Sequence, residues 1–309
     1  MTQDSKKKKT SPDYSLIGRE ALKLSGDAGA SKPEAGLYVI ATPIGNLGDI
    51  TLRALMTLAG VDAVYCEDTR VTGGLLNRYG IAKPLIACHD HNEASRVDEV
   101  LARLSGGEAL ALVSDAGTPL LSDPGFRIVA ACRAAGHKVE AVPGASALLT
   151  ALAGSGLPTD KVLFGGFLPP KETGRRRVLE SFTDLRATLV FYEAPQRLAD
   201  SLRDMDAVLG NRAALVAREL TKLFEEMRSG SLAELAAFYA ANEARGECVV
   251  LIGPPDDATP ADLEEIIEKA LDVLLPTMRV KEAVVQVAKE TGAPRRAVYA
   301  KALKMAEKT

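Results

Sequence analysis

Between residues 36 and 253 the sequence keeps one rhythm. A short apolar run is stopped by a cluster of Gly, Pro or Asp and followed by a stretch with helical spacing. Apolar runs of this kind suit strands buried on both faces, and the helical stretches carry the chain back over the sheet, so the pattern confines the fold to α/β layers. LYVIAT (37–42) predicts a first strand, DITLRALMTLAGV (49–61) a helix, AVYCED (63–68) a second strand and ALALVSD (109–115) a third. FRIVAACRAAG then predicts a helix, KVEAVPG the next strand, and ASALLTALAGSG a helix of small residues that closes a first αβα domain, 36–157. KVLFGGFLP, ATLVFYEAP, AALVARELT and ECVVLIG predict strands of a second αβα domain, 158–256. Beyond PPDDATP the strand pattern ends. Residues 257–309 predict helices only, interrupted at Pro276 and around 291–294, the last pair spaced like a helix-turn-helix. The expected fold class is therefore α/β, two three-layer αβα domains with a helical C-terminal appendage.

Residues 1–35 hold four consecutive lysines among Ser, Gly, Asp and Pro, with no apolar period able to bury a face; they are expected to be a disordered arm. No apolar stretch follows those lysines as it would in a signal peptide, and no run reaches the roughly eighteen apolar residues of a membrane span, so a cytoplasmic protein with no membrane partner is expected. Cys66, Cys88, Cys132 and Cys248 lie far apart in apolar or small-residue surroundings, which suits reduced core thiols. A net charge of −3 excludes a chain that is basic throughout, but nucleic-acid contact depends on local patches.

Three strand ends in the first domain carry ligand-binding signals. Thr42–Asp49 (TPIGNLGD) is a Gly-containing turn that opens a helix, where main-chain N–H groups can approach a ligand. A nicotinamide-binding reading is open there, because Glu67 and Asp68 end the second strand, yet the glycines are spaced GxxG and the GxGxxG fingerprint is absent. SDAGTPLLSDPG (114–125) places two turns in twelve residues at a strand's carboxyl end, and Asp115 and Asp123 there suit a cationic or amino group; a plain double turn is the alternative. Pro143-Gly144-Ala145-Ser146 is a third such loop. A triphosphate-binding GxxxxGK[ST] loop is absent. In the second domain, FYEAPQR (191–197) and RELTKLFEE (218–226) follow strands; Phe191 and Tyr192 fit either a stacking surface or the core. His89-Asp90-His91 lacks a third ligand nearby, so no metal is expected.

Taken in order and spacing, LYVIATPIGNLGDITLRAL, CEDTR, HDHNE, LVSDAGTPLLSDPG, VPGASA, FLPPK, FYEAPQR, RELTK and GECVVLIG resemble the tetrapyrrole methylase superfamily, and within it the branch acting on small-subunit ribosomal RNA. The resemblance spans about residues 36–253 and continues into the tail. It implies S-adenosylmethionine as cofactor, bound between the two αβα domains, usually in a homodimer. By motif the implied cofactor residues are Pro43, Asp115, Ala116, Gly117, Leu120, Ser122, Asp123, Pro143, Gly144 and Ala145, with Tyr192 and Ala217 from the second domain. The implied reaction is 2′-O-methylation of a cytidine in the decoding region of 16S ribosomal RNA, presented as RNA or as the assembled 30S subunit.

Methyl transfer from a sulfonium demands alignment above all, and a ribose hydroxyl is a poor nucleophile that gains from a base or from a cation near its developing charge. Glu193, Arg197, Arg218, Glu219 and Lys222 are the candidates, unranked by sequence. Lys161, Lys171, Arg175, Arg176 and Arg177 surround a Pro- and Gly-containing loop and can clamp RNA phosphates, as can Arg295 and Arg296 in the tail; a solvated loop and a packing helix pair are the respective alternatives. Two other functions stay open: a tetrapyrrole C-methyltransferase of the corrin or sirohaem type, and a non-catalytic RNA-binding assembly protein.

Overall fold

The computed structural model describes residues 32–255, 260–291 and 293–306, in two compact units that divide between Pro254 and Pro255. Most of the expected N-terminal arm lies outside the described residues. Its last residues are held against the first unit, with Lys32 Nζ 2.7 Å from Asp62 and Glu34 paired with Lys138.

In the first unit, β1 (Gly36–Ile40), β2 (Ala63–Cys66), β3 (Leu85–Ala87), β4 (Ala109–Leu112) and β5 (Val139–Val142) form a parallel sheet in the order β3-β2-β4-β1-β5. Every residue of β2 and β4 is buried, which is why these strands read as unbroken apolar runs. Helices α1 (Leu52–Gly60) and α2 (Thr69–Arg78) cover one face through Leu58 and Leu76. Helices α3 (Glu93–Ser105) and α4 (Phe126–Ala134) cover the other through Val100, Leu104, Ile128 and Cys132. Thr51 caps α1 by accepting from the Ala54 N–H at 3.1 Å, and Asp68 caps α2 by accepting from Arg70 N–H at 2.8 Å.

After α5 (Ala147–Ser155), a mixed sheet follows: β6 (Val162–Phe167), β7 (Thr188–Glu193), β8 (Ala213–Arg218), β9 (Glu226–Ser231) and β10 (Cys248–Ile252), ordered β6-β7-β10-β8-β9. Only β6 and β7 run parallel; the other pairings are antiparallel. Helices α6 (Glu172–Glu180), α7 (Leu198–Leu209) and α8 (Leu232–Ala241) bury Leu179, Leu202 and Leu235 against one face. The opposite face takes α5, whose Ala151 joins Ile44, Val190, Leu215, Ala217, Val249 and Leu251 in one cluster. Small residues in α5 thus let the two lobes of this unit share a core.

Two strands depart from the sequence expectation. ALALVSD contains the fourth strand rather than the third, because the three half-buried residues of β3 precede it at the sheet edge. Strand β9, EMRSGS, is polar and lies at an edge, so it lacks the apolar run that would reveal it.

The second unit consists of α9 (Pro260–Leu274), α10 (Val280–Thr291) and α11 (Arg295–Ala306) around Ile267, Leu271, Val284, Val287 and Val298. All four cysteines are buried and free. Among the described residues, no helix is long and apolar enough to cross a membrane.

Candidate active site

Strands β1 and β4 are neighbours, but the chain leaves their carboxyl ends in opposite directions, toward β2 and toward β5. Such a reversal opens a crevice outside an α/β sheet. Across it, Thr42 and Gly117 pair through both main-chain bonds, at 2.8 and 3.0 Å, and the Thr118 hydroxyl donates to Ala145 O at 3.1 Å. The three strand-end loops are thereby tied together.

The loop after β4 is tightly wound. Gly117, Leu120, Ser122 and Gly125 all have left-handed φ, at 82°, 73°, 71° and 124°. Among the described residues only Glu219 (50°) and Thr221 (65°) are further non-glycine cases. An L-residue held there costs about 1–3 kcal/mol, and such strain gathers where ligands are clamped. Both strained loops adjoin one cavity of about 470 Å³, within the size range of small-molecule sites. Its walls are Ile44, Asp115–Thr118, Leu121–Asp123 and Ala147 from the first lobe, and Phe167, Tyr192–Pro195 and Gly246–Val249 from the second. Glu219 connects the second strained loop to this wall, accepting from Glu247 N–H at 3.1 Å.

The first-lobe wall is acidic. Burial, reinforced by the Glu67 and Asp115 carboxylates, pushes the Asp123 carboxyl up to about 6. Burial and Asp115 likewise raise Glu67. Crowded carboxylates of this kind favour a cationic occupant. The opposite wall is aromatic, with Tyr192 meeting Phe164 and Phe167 edge-on at centroid distances of 4.9 and 5.6 Å.

Of the residues expected to hold a cofactor, Asp115, Ala116, Gly117, Ser122, Asp123 and Tyr192 line the cavity. Pro43, Leu120, Pro143, Gly144, Ala145 and Ala217 do not: Pro43 is buried, and Ala217 lies in β8 opposite Val249, which takes the lining position. The lining from Gly246–Val249 escaped the sequence reading because β10 runs antiparallel to β7, so its start rather than its end faces the cavity. Phe167 also escaped it, although the doubled glycine before it inside a strand pattern was a usable signal.

The five candidate catalytic residues do not converge. Glu193 belongs to the cavity wall, and its side chain accepts from Ser201 and from the Ala194 N–H, with Arg197 Nε 3.3 Å away. Arg197 instead donates to Leu168 O and Pro169 O at 2.8 and 3.2 Å. Arg218 pairs with Glu226 at 2.8 Å and donates to Arg245 O. Glu219 and Lys222 remain beside the cavity. Lys222 Nζ lies 2.9 Å from Glu219 and 2.8 Å from the lining residue Glu247. Burial opposes its charge, but the hydrogen bonds it donates to these two carboxylates prevail and hold the ammonium above its ordinary value. The Lys222 stem also lies against the first lobe, since a Cβ on Gly45 would meet its Cγ at 2.4 Å.

Among the expected phosphate contacts, Arg175 is corrected. It is 4 % exposed and bonded to Asp204 at 2.7 Å, which leaves no guanidinium face for RNA. Arg176 shares Asp204, at 2.8 Å, whereas Lys161, Lys171 and Arg177 are exposed. In the second unit Arg295 and Arg296 are exposed at the start of α11, the second helix of the helix-turn-helix pair, together with Tyr299.

The sequence profile described as Tetrapyrrole (Corrin/Porphyrin) Methylases matches residues 36–236, covering the first sheet and four of the five strands of the second. The chain belongs to the tetrapyrrole methylase family. A second profile, the RsmI C-terminal HTH domain, matches residues 260–306. Among relatives of this methylase, "Ribosomal RNA small subunit methyltransferase I" from Mesorhizobium japonicum is 49 % identical, covering 88 % of this chain and 92 % of its own. The protein of the same name from Pseudomonas aeruginosa is 47 % identical, covering 86 % and 96 %. The fold is shared with the methyltransferase CobJ (TM-score 0.54, 19 % identity, 72 % of this chain and 95 % of that one). It is shared too with uroporphyrin-III C-methyltransferase from Thermus thermophilus, whose structure is a complex with S-adenosylhomocysteine (TM-score 0.51, 20 % identity, 71 % and 97 %).

Proposed function

We propose that this methylase transfers a methyl group from S-adenosylmethionine to the ribose 2′-oxygen of a cytidine in the decoding region of small-subunit ribosomal RNA. The observation that carries the reading is the match, over nearly the whole length of both chains, to relatives that bear that ribosomal name. The helix-turn-helix unit, with its exposed arginines, favours an RNA acceptor over a tetrapyrrole.

The cavity suits the cofactor on three counts. It has the volume of a small-molecule site, an acidic wall for the sulfonium and amino group, and a wound main-chain loop facing the Tyr192 ring for the nucleoside. Asp115 and Asp123 would face the cationic groups, with Gly117, Ser122 and Tyr192 around the remainder. S-adenosylmethionine supplies an activated methyl group, so little acid-base chemistry is left to the protein. What this chain contributes is alignment, exclusion of water by the Ile44, Leu121 and Val249 surfaces, and a fixed cation. Lys222 stays protonated between Glu219 and Glu247, which makes it unsuited to act as a base and suited to stabilise developing alkoxide charge. Lys222→Ala is therefore expected to lower turnover about a hundredfold, with S-adenosylhomocysteine affinity retained. Unchanged turnover would remove Lys222 from the chemistry.

The test of the function itself is transfer of labelled methyl to 30S subunits that lack the modification, followed by mapping of the labelled nucleotide. Label on one ribose 2′-oxygen of a cytidine is expected. Label on a base or a tetrapyrrole, or none at all, would overturn the reading. A homodimer is also proposed, and sedimentation tests it.

A further inference from the structure

Strand β6 contains a defect whose effect is to deliver one aromatic ring to the cavity. Its register with β7 runs Phe164 to Val190, then Gly166 to Phe191 and Phe167 to Tyr192, so Gly165 is an extra, unpaired residue. Residues an odd number apart in a regular strand face opposite sides of a sheet. Phe164 and Phe167 are three apart, yet both rings contact Tyr192. A bulge re-aims the side chains beyond it, and here it turns Phe167 to the cavity side.

The sequence is committed to this bulge. A Cβ at Gly165 would lie 2.3 Å from the Phe191 ring, and Gly166 has φ of 62°, with its Cβ position 3.1 Å from the Ser122 hydroxyl of the strained first-lobe loop. Beyond the bulge, Arg197 fixes the carbonyls of Leu168 and Pro169, and Leu168 is buried in the second-lobe core. Phe167 is thus anchored on both sides, and it is nevertheless 57 % exposed. Burial would be the default for so large an apolar group, and its neighbours Phe164 and Tyr192 are half-buried. The ring is an anchored, exposed apolar surface at the edge of a cavity that also admits a methyl donor.

Resting on the ribosomal RNA reading above, we propose that Phe167 is the platform on which the base of the acceptor nucleotide stacks, placing its ribose at the cavity. Enzymes that work on one nucleotide hold it out of its stack against aromatic or apolar side chains, and stacking on an aromatic ring tolerates any base. Phe167 acts on the acceptor and not on the cofactor, which the wound first-lobe loop and Tyr192 would enclose.

The test uses the full-length protein with 30S subunits lacking the modification and labelled S-adenosylmethionine, comparing wild type with Phe167→Ala, Phe167→Leu and Phe167→Trp. Loss of one stacked base is expected to raise KM for the subunit roughly 5- to 100-fold in the alanine and leucine variants, with the tryptophan variant near wild type. Affinity for S-adenosylhomocysteine, read by calorimetry, is expected to stay within about twofold in all three, which also reports that they fold. An unchanged KM in the alanine variant, or full rescue by leucine, would overturn the platform. A parallel loss of S-adenosylhomocysteine affinity would reassign the ring to the cofactor and overturn it too. If wild type itself labels no subunit, the functional reading fails first, and this inference falls with it.

Discussion

Burial pushes the Asp123 carboxyl up to about 6, and the sign of its linkage differs between the free and the occupied cavity. In the free protein the raised value means that protonated Asp123 suits the fold. Its stabilising contribution is complete below the ordinary carboxylate range and is lost as pH rises through about 6. A cation in the cavity reverses the preference, because it needs the carboxylate. Affinity for S-adenosylmethionine is therefore expected to fall as pH drops below about 6, approaching tenfold per pH unit, and Asp123→Asn should flatten that profile. Calorimetry between pH 5 and 7.5 checks this; a flat wild-type profile would mean that Asp123 faces no ligand charge. At this scale the sequence was informative where a residue's neighbours in the chain are also its neighbours in space. Asp115, Gly117 and Asp123 were legible because one wound loop holds them all. Charge alone does not reveal that Glu193 and Arg175 are buried. Their partners Ser201 and Asp204 lie on α7, respectively 8 and 29 residues further along the chain.

Helices α6 and α7 are joined by that second pair. Asp204 on α7 accepts from both Arg175 and Arg176 on α6, and the Arg175 and Asp204 side chains are 5 % and 4 % exposed. Removing one partner of a buried pair strands the other charge, so Asp204→Ala is expected to lower stability by about 3–5 kcal/mol in urea unfolding. Replacing both by apolar residues, Arg175→Met with Asp204→Leu, should recover most of that loss. A loss below about 1 kcal/mol for Asp204→Ala would show that water reaches the pair. The same region explains what could be read of the elements. Strands buried on both faces, such as β2, β4 and β10, announce themselves as apolar runs. Edge strands β3 and β9 carry no such run, and strand direction in the second sheet is set by pairing that no local pattern records. For that reason the Gly246–Val249 wall had no sequence signal, whereas the glycine pair before Phe167 did.

At the scale of the whole molecule, α/β lobes followed by helices were legible because the change from strand-and-helix rhythm to helix alone is large and sustained. The two compact units carry different chemistry: a cavity with an acidic wall in the first, and in the second a helix whose exposed residues include Arg295, Arg296, Tyr299 and Lys304. Acidic surroundings repel phosphate, so the proposed RNA affinity must come from basic patches elsewhere, and α11 is one. Each phosphate neutralised by a side chain releases condensed counterions and steepens the salt dependence of binding. Arg295→Ala with Arg296→Ala should therefore weaken 30S binding most at low salt, and should reduce the slope of log affinity against log salt by roughly one to two. Turnover at saturating subunit and S-adenosylhomocysteine affinity should stay as in wild type, since neither arginine lines the cavity. Binding titrations at several salt concentrations read this directly. An unaltered slope would show that α11 meets no phosphate and that its exposed arginines serve solvation, which would move the search for RNA contacts to the exposed Lys161, Lys171 and Arg177 of the second lobe.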